Sequence, residues 1–224
     1  MSEGVTISPA DVTVVIPCMN EAGSLPGVLA GIPPGYRALV VDNNSTDGTA
    51  DVARAHGASV VTEARPGYGS AVHAGVEAAR TPVVCVLDGD GSTDPRELPA
   101  LVAAVESGAD LAVGRRRPVE RSTWPLHSRI GNAVLAARLR RRYGIPIHDL
   151  GAMRVVRRQA LLDLGVGDRR SGYPLQLLIL AGRAHWQITE CDITYRPRTA
   201  GSSKVSGSVK GTLRAVHDFW TVLR

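Results

Sequence analysis

Five short apolar runs, each closed by a polar or acidic loop, set the strongest limit on what this chain can become. Val12 to Ile16 is β-branched and stopped by Pro17, and Ala38 to Val41 ends on an Asp-Asn-Asn-Ser-Thr-Asp-Gly turn. Ser59 to Thr62, Pro82 to Leu87 and Asp110 to Val113 repeat the pattern. Brief runs rich in Val, bounded by turn residues, are buried strands. Between them lie helical stretches: Thr46 to Ala55 with Ser45 or Thr46 as cap, Ser70 to Ala79 after a Gly-Tyr-Gly turn, and Pro95 to Glu106 with Pro in its first turn. Strands alternating with helices predict an α/β fold, a doubly wound and mostly parallel sheet with helices on both faces.

Open sheets of that kind bind ligands beyond the carboxyl ends of their strands. The loops at those ends are Pro17 to Glu21, Asp42 to Asp47 and Asp88 to Asp94, so three strands deliver polar or acidic residues to one edge. Asp88-Gly89-Asp90 places two carboxylates two residues apart after an apolar strand. Such a pair addresses one hard cation, Mg²⁺ or Mn²⁺, but cannot form a complete cage; water and diphosphate oxygens would fill the remaining positions.

After Val113 the rhythm changes. Arg115 to Arg117 leads into a loop, Leu126 to Tyr143 reads as a basic amphipathic helix, and Gly151 to Val156 as an edge strand. Arg157 to Leu164 and Pro174 to Ala181 are shorter helices, and His185 to Tyr195 is strand-like with a break near Glu190. Arg198 to Ser208 is a Gly/Ser/Lys loop and Val209 to Leu223 a terminal amphipathic helix. With no repeat and no linker, residues 1–224 form one domain in two functional halves, about 10–113 and 114–224.

Charge divides at the same place. Through Val113 there are five Arg or Lys against fourteen Asp or Glu; from Gly114 onward there are twenty-one against seven. The second half is therefore fitted to an anionic partner. Nucleic acid is disfavoured as that partner, because only nine aromatics are present and no recognised binding motif accompanies them. Cys18, Cys85 and Cys191 have no metal-ligand spacing and read as free thiols. No apolar run approaches the ~20 residues that cross a bilayer, and the N-terminus lacks a secretory pattern, so the expected location is the cytoplasm. The terminal helix carries Leu213, Val216, Trp220 and Leu223 on one stripe beside Lys210, Arg214 and His217. It is suited to the core, to a second subunit in a homodimer, or to peripheral contact with the inner membrane face.

Val14-Val-Ile-Pro-Cys-Met-Asn-Glu21, Val40-Val-Asp-Asn-Asn-Ser-Thr-Asp-Gly-Thr49 and Val86-Leu-Asp-Gly-Asp90 together resemble the successive motifs of family 2 glycosyltransferases. Their fold is GT-A, the nucleotide-diphospho-sugar transferase fold. Asp149-Leu-Gly-Ala-Met-Arg154 and Tyr195-Arg-Pro-Arg-Thr-Ala-Gly-Ser-Ser-Lys204 are similar to segments of the dolichyl- or polyprenyl-phosphate sugar synthase branch. The resemblance implies that Asp42 accepts from a base N–H and Glu21 from a ribose hydroxyl, with Pro17, Asn20, Asn44 and Gly89 lining the donor. Asp90 would hold the metal, while Asp88 either shares it or contacts the ribose, and Ser92 lies near it. Asp47 supports its loop and Asp94 caps a helix. Gly67 and Gly69, in Arg65-Pro-Gly-Tyr-Gly69, resemble the loop that lines the nucleotide; glycine permits close backbone approach and the following helix start favours anions.

For the acceptor the resemblance implies Arg116, Arg129, Arg198 and Lys204 as phosphate-handling residues, arginine through its planar fork and lysine as a mobile charge. His127 and His148 read as loop or packing residues. The expected reaction is inverting, metal-dependent transfer of a hexose from a UDP- or GDP-sugar to a polyprenyl phosphate or a small soluble acceptor. An alcohol acceptor needs a base and a phosphate does not. Asp149 is the best placed acid by motif, and Gln176 stands where relatives carry Glu and cannot act as a base. Two other classes compete. A sugar-phosphate nucleotidyltransferase would show a Gly-rich, Arg-containing loop where Pro17 to Glu21 stands, and a non-catalytic nucleotide-sugar-binding paralogue is supported only by Gln176.

Overall fold

The computed structural model describes residues 6–120, 123–151 and 153–199. The five runs are strands β1 (Val12–Cys18), β2 (Arg37–Asp42), β3 (Ser59–Thr62), β4 (Val83–Val86) and β5 (Leu111–Pro118), joined later by β6 (Arg154–Arg157) and β7 (Ile188–Tyr195). They form one sheet in the order β3-β2-β1-β4-β6-β5-β7. β1 pairs in parallel with β2 and β4, β2 with β3, and β5 with β7; β6 alone is antiparallel, to both β4 and β5. The chain turns one way from β1 to β2 and the other way to β4, so a switch point opens at their carboxyl ends.

Helices cover both faces, and the strand residues alternate accordingly. Val12, Val14 and Ile16 face a layer containing Leu25 and Val28 of α1 (Leu25–Gly31) and Leu98, Leu101 and Val105 of α4 (Leu98–Glu106). Val84 and Val86 face the opposite layer, with Val72 and Val76 of α3 (Tyr68–Ala78), Leu139 of α5 (Leu126–Tyr143), Leu161 of α6 (Arg158–Asp163) and Leu175 and Leu178 of α7 (Tyr173–Arg183). Each such side chain contributes roughly 1.5–3 kcal/mol by leaving water. Among the described residues, no helix is long and apolar enough to cross a membrane.

Five expectations change. β6 is interior, not an edge: its two valines suggested a marginal strand, yet Val155 and Val156 are both buried because sheet neighbours and helices enclose them. β7 runs unbroken through Glu190, in register with β5 from Leu111↔Ile188 to Pro118↔Tyr195. Glu190 fits there because its carboxylate accepts the backbone N–H groups of His148 and Asp149 at 2.6 and 2.9 Å. β5 runs past Val113 through Arg115 to Arg117 before the chain enters the loop. Finally, α1 was unforeseen, since Leu-Pro-Gly-Val-Leu-Ala-Gly has poor intrinsic propensity; burial of Leu25 and Val28 on one side holds it. The helix after β2, α2 (Thr49–Ala55), begins later than Thr46 because Asp47 accepts the Thr49 N–H at 3.1 Å and fixes the loop.

Candidate active site

The carboxyl ends of β1, β2 and β4 meet as expected. Cys18 lies beside Asp42 in the sheet register, and the Asn43 N–H donates to the Cys18 carbonyl at 2.8 Å. Asn20 accepts the Thr46 N–H at 2.7 Å, and Asp47 accepts the Ala22 N–H at 3.0 Å. Asn20 therefore splices the first two loops together. Asp42 uses one carboxylate oxygen on the Ser45 N–H at 3.1 Å.

Asp90 is buried behind β4. Its Oδ1 accepts the Ser92 N–H at 2.8 Å, and its Oδ2 meets Arg198 Nη2 at 2.9 Å. Arg198 Nη1 also lies 3.9 Å from Glu21 Oε1. The Ser24 hydroxyl donates to the Gly89 carbonyl at 2.8 Å and lies 3.1 Å from Glu21 Oε2, tying the first loop to the third. Gly89 packs on β1: a Cβ there would come within 2.7 Å of Cys18 Sγ. Asp88 is half-buried, bonded to the Tyr68 hydroxyl, with Arg154 beside both. Burial and the neighbouring Asp90 charge push Asp88 up to about 6, against the pull of Arg154, Arg198 and Arg116. A carboxylate held beside a second negative charge in this way fits a divalent cation, whose charge would relieve the repulsion. Among the described residues no third side chain completes a metal cluster, so a cation here would take its other ligands from a diphosphate and water.

A testable consequence concerns pH. Asp88 holds its proton more tightly than an ordinary carboxylic acid, so the anion is available only as pH rises past about 6. Mn²⁺-dependent binding of a nucleoside diphosphate should therefore weaken by about tenfold per pH unit below that value. Calorimetric titrations on either side of it check this; an affinity flat between them removes Asp88 from the metal site.

The basic half builds a second feature. Asp149 is 2% exposed. Its Oδ2 accepts the Arg116 backbone N–H and Nε–H, each at 2.8 Å, and its Oδ1 accepts Arg116 Nη2 at 2.6 Å and the Gly151 N–H at 3.1 Å. Burial would raise its proton affinity, but the hydrogen bonds and charge of Arg116 outweigh that and hold the carboxyl below its ordinary range. Asp149 was expected to act as base if the acceptor needs one; here both of its oxygens are engaged and its proton affinity is lowered, an arrangement that suits an ion-pair partner of Arg116 better than a base. It is a positioning residue for Arg116. Arg116 in turn stacks 4.1 Å from the Trp124 ring centroid and 5.4 Å from that of Tyr195, with the two rings edge to face at 5.7 Å. Arg116, Trp124 and Asp149, with Arg115, Arg129 and Asn132, line an open pocket of about 180 Å³. Asp149 already occupies the Nε–Nη2 edge of the Arg116 fork, so much of the uncompensated charge at the pocket belongs to Arg115 and Arg129.

Several assigned residues serve the chain itself. The close approach at Gly67 and Gly69 is made by the protein's own backbone: a Cβ on Gly67 would strike the Arg169 carbonyl, and one on Gly69 would lie 2.7 Å from the Asp168 carbonyl. The first amides of α3 are taken too, Gly69 N–H by the Arg170 carbonyl at 3.1 Å and Ser70 N–H by that of Arg169 at 2.9 Å. The anion site expected at that helix start is thus filled. Asn44 donates to the Glu63 and Ala64 carbonyls, and Gln176 accepts the Asp168 N–H at 2.6 Å; both brace loops. Arg198 sits with the acids of the β1 and β4 ends, and its charge, like that of Arg116, also acts on Asp88. Lys204 and the terminal helix lie outside the described residues.

Ser24, Tyr68 and Arg154 were not singled out. Arg154 is 3% exposed; Nη2 donates to the Leu150 carbonyl at 2.7 Å and to that of Gly151, while Nε has no partner in the structure. Its only signal was its place at the end of the Asp149 to Arg154 motif.

The sequence profile described as Glycosyl transferase family 2 matches residues 13–165. The chain is 63% identical over 212 residues to an uncharacterized glycosyltransferase of Mycobacterium tuberculosis, covering 95% of this chain and 97% of that one. It is 34% identical to the polyprenol monophosphomannose synthase of Mycolicibacterium smegmatis, covering 91% and 84%. It is 31% identical to the undecaprenyl-phosphate mannosyltransferase of Micrococcus luteus, covering 89% of each. Among solved structures, glucosyl-3-phosphoglycerate synthase from Mycobacterium tuberculosis with Mg²⁺ and UDP superposes with a TM-score of 0.74 at 22% identity, covering 94% and 78%. That likeness speaks for the fold.

Proposed function

The chain belongs to glycosyl transferase family 2 and is a hexosyltransferase of GT-A fold, and from that premise we propose that it moves a hexose from a UDP- or GDP-sugar onto a phosphate-bearing acceptor, with a polyprenyl phosphate as the leading candidate. The observation that carries this reading is the adjacency of two opposite subsites. Asp88 and Asp90 close β4, and beside them Arg116 projects from β5 between Trp124 and Tyr195, near enough for its charge to act on Asp88. Relatives above 30% identity are named for polyprenyl-phosphate acceptors, which agrees with a basic acceptor pocket. The N-terminal half would take the donor and the C-terminal half the acceptor, within one domain.

Asp42 would receive the base and Glu21 the ribose. Asp90 and Asp88 would hold Mg²⁺ or Mn²⁺, which when bound would neutralise the diphosphate leaving group. Arg198, already at hydrogen-bond distance from Asp90, would turn its fork toward the diphosphate once the carboxylate is engaged elsewhere. The pocket arginines would orient the acceptor phosphate for attack on the face of the anomeric carbon opposite the leaving group. With Asp149 locked to Arg116 and Gln176 on a loop amide, neither acid nor amide is positioned to take a proton. A phosphate oxygen attacks as an anion and requires no such group. The engagement of these two groups agrees better with a phosphate acceptor than with a neutral alcohol.

The test is release of nucleoside diphosphate from a panel of UDP- and GDP-sugars, with and without a short polyprenyl phosphate and Mn²⁺. We expect at least about a tenfold stimulation by acceptor. Release that is indifferent to every phosphate acceptor, yet rises with an alcohol, would reject the reading.

A further inference from the structure

No described side chain of α5 before Ala136 is buried. Leu126, Ile130 and Val134 are 68%, 56% and 61% exposed, and Val119, in the segment leading to the helix, is 53% exposed. They account for four of the five exposed large apolar residues described in the protein. The three on α5 recur every four residues and so share one side, turned away from Ala136 and Leu139, which anchor the helix to the body. From Arg115 to His148 the chain carries nine arginines and a single acid, Glu120. Arg138 and Arg141 are exposed on the later turns of the apolar side. Arg129 stands between Leu126 and Ile130 and also lines the pocket with Arg116 and Trp124.

An apolar ridge framed by arginines has few suitable covers. A second copy would bring the same arginines face to face across a two-fold contact. The terminal segment from Val209 carries Lys210, Arg214 and Arg224 against the lone Asp218, so it too would set cation against cation. An anionic bilayer satisfies both components, taking the apolar side chains into the headgroup boundary and the arginines onto lipid phosphates.

We propose that the exposed side of α5 docks on an anionic membrane surface through Leu126, Ile130 and Val134, with the mouth of the Arg116–Arg129 pocket opening toward that surface. The orientation of the pocket rests on the polyprenyl-phosphate reading; the docking itself does not. A lipid-borne phosphate could then enter the pocket while its chain stays in the bilayer.

The experiment is sedimentation of the full chain with vesicles of phosphatidylcholine alone, or with roughly a one-third share of phosphatidylglycerol. Wild type should bind only the anionic vesicles, and more weakly at high salt. The double variant Leu126→Asp, Ile130→Asp should lose at least about tenfold in binding while keeping its melting temperature and its transfer to a water-soluble short-chain polyprenyl phosphate. Three results overturn the docking: no binding by wild type, equal binding by the variant, or a wild-type dimer that the two aspartates dissociate. If short-chain acceptor never stimulates either protein, the acceptor reading fails while the vesicle result still decides the docking.

Discussion

Asp90→Asn is expected to lower hexose transfer by about a thousandfold while leaving the fold intact, a loss on the order of 4 kcal/mol of transition-state stabilisation. The amide can still accept the Ser92 N–H through its oxygen, so the loop keeps its shape. What disappears is the charge that answers Arg198 at 2.9 Å and that would face a cation. Removing it should also abolish the difference between nucleoside diphosphate binding with Mn²⁺ and with chelator. Asp90→Ala should give the same kinetic loss with some added instability, because it also frees the Ser92 amide. Full Mn²⁺ enhancement in a folded Asp90→Asn protein would dismiss the metal assignment. Weakened binding in both metal and chelator would instead mean that Asp90 acts only through Arg198.

The donor edge was legible because its signals are local. An apolar run of β-branched residues followed at once by Asp42, or by Asp88-Gly89-Asp90, states both the strand and what stands at its end. The glycines were legible as glycines but not in their purpose. Close approach at Gly67 and Gly69 was expected from a nucleotide, whereas the group that approaches in the structure, the backbone of residues 168–170, comes from a distant loop. β6 and α1 were obscure for a related reason: elements of four and seven residues have little periodicity of their own, and sheet neighbours or a buried Leu25–Val28 pair decide them. Charge partners were least visible. Arg116 and Asp149 lie 33 residues apart, and Thr199, next to Arg198, contacts Asp90 across 109. A motif can nominate such residues, but which acid takes which arginine is fixed only when β5, β6 and β7 assemble.

Because of that assembly, Asp149 should reveal itself through stability before catalysis. In Asp149→Asn the Arg116 guanidinium would remain buried between Trp124 and Tyr195 with its countercharge gone. Breaking one member of a buried pair costs about 3–5 kcal/mol, which in a protein of this size lowers the melting temperature by about 6–20 °C. The sign with pH follows from the lowered proton affinity of Asp149. Its folded carboxyl ionises at lower pH than an unfolded one, so the stabilisation is complete above the ordinary carboxylate range and is lost as pH falls through the folded value. The wild-type advantage over Asp149→Asn should therefore persist at neutral pH and shrink in acid. A catalytic base would behave differently: the amide would melt like wild type, and transfer alone would collapse with loss of a limb in the pH–rate profile. Arg116→Met with Asp149→Leu adds the decisive comparison. Replacing both partners by apolar groups should recover most of the melting temperature, since no charge is left stranded. Acceptor-stimulated transfer should stay low, because the arginine that frames the pocket is gone. Recovery of transfer along with stability would show that the Arg116–Asp149 pair serves only the fold, and that the phosphate is gripped elsewhere.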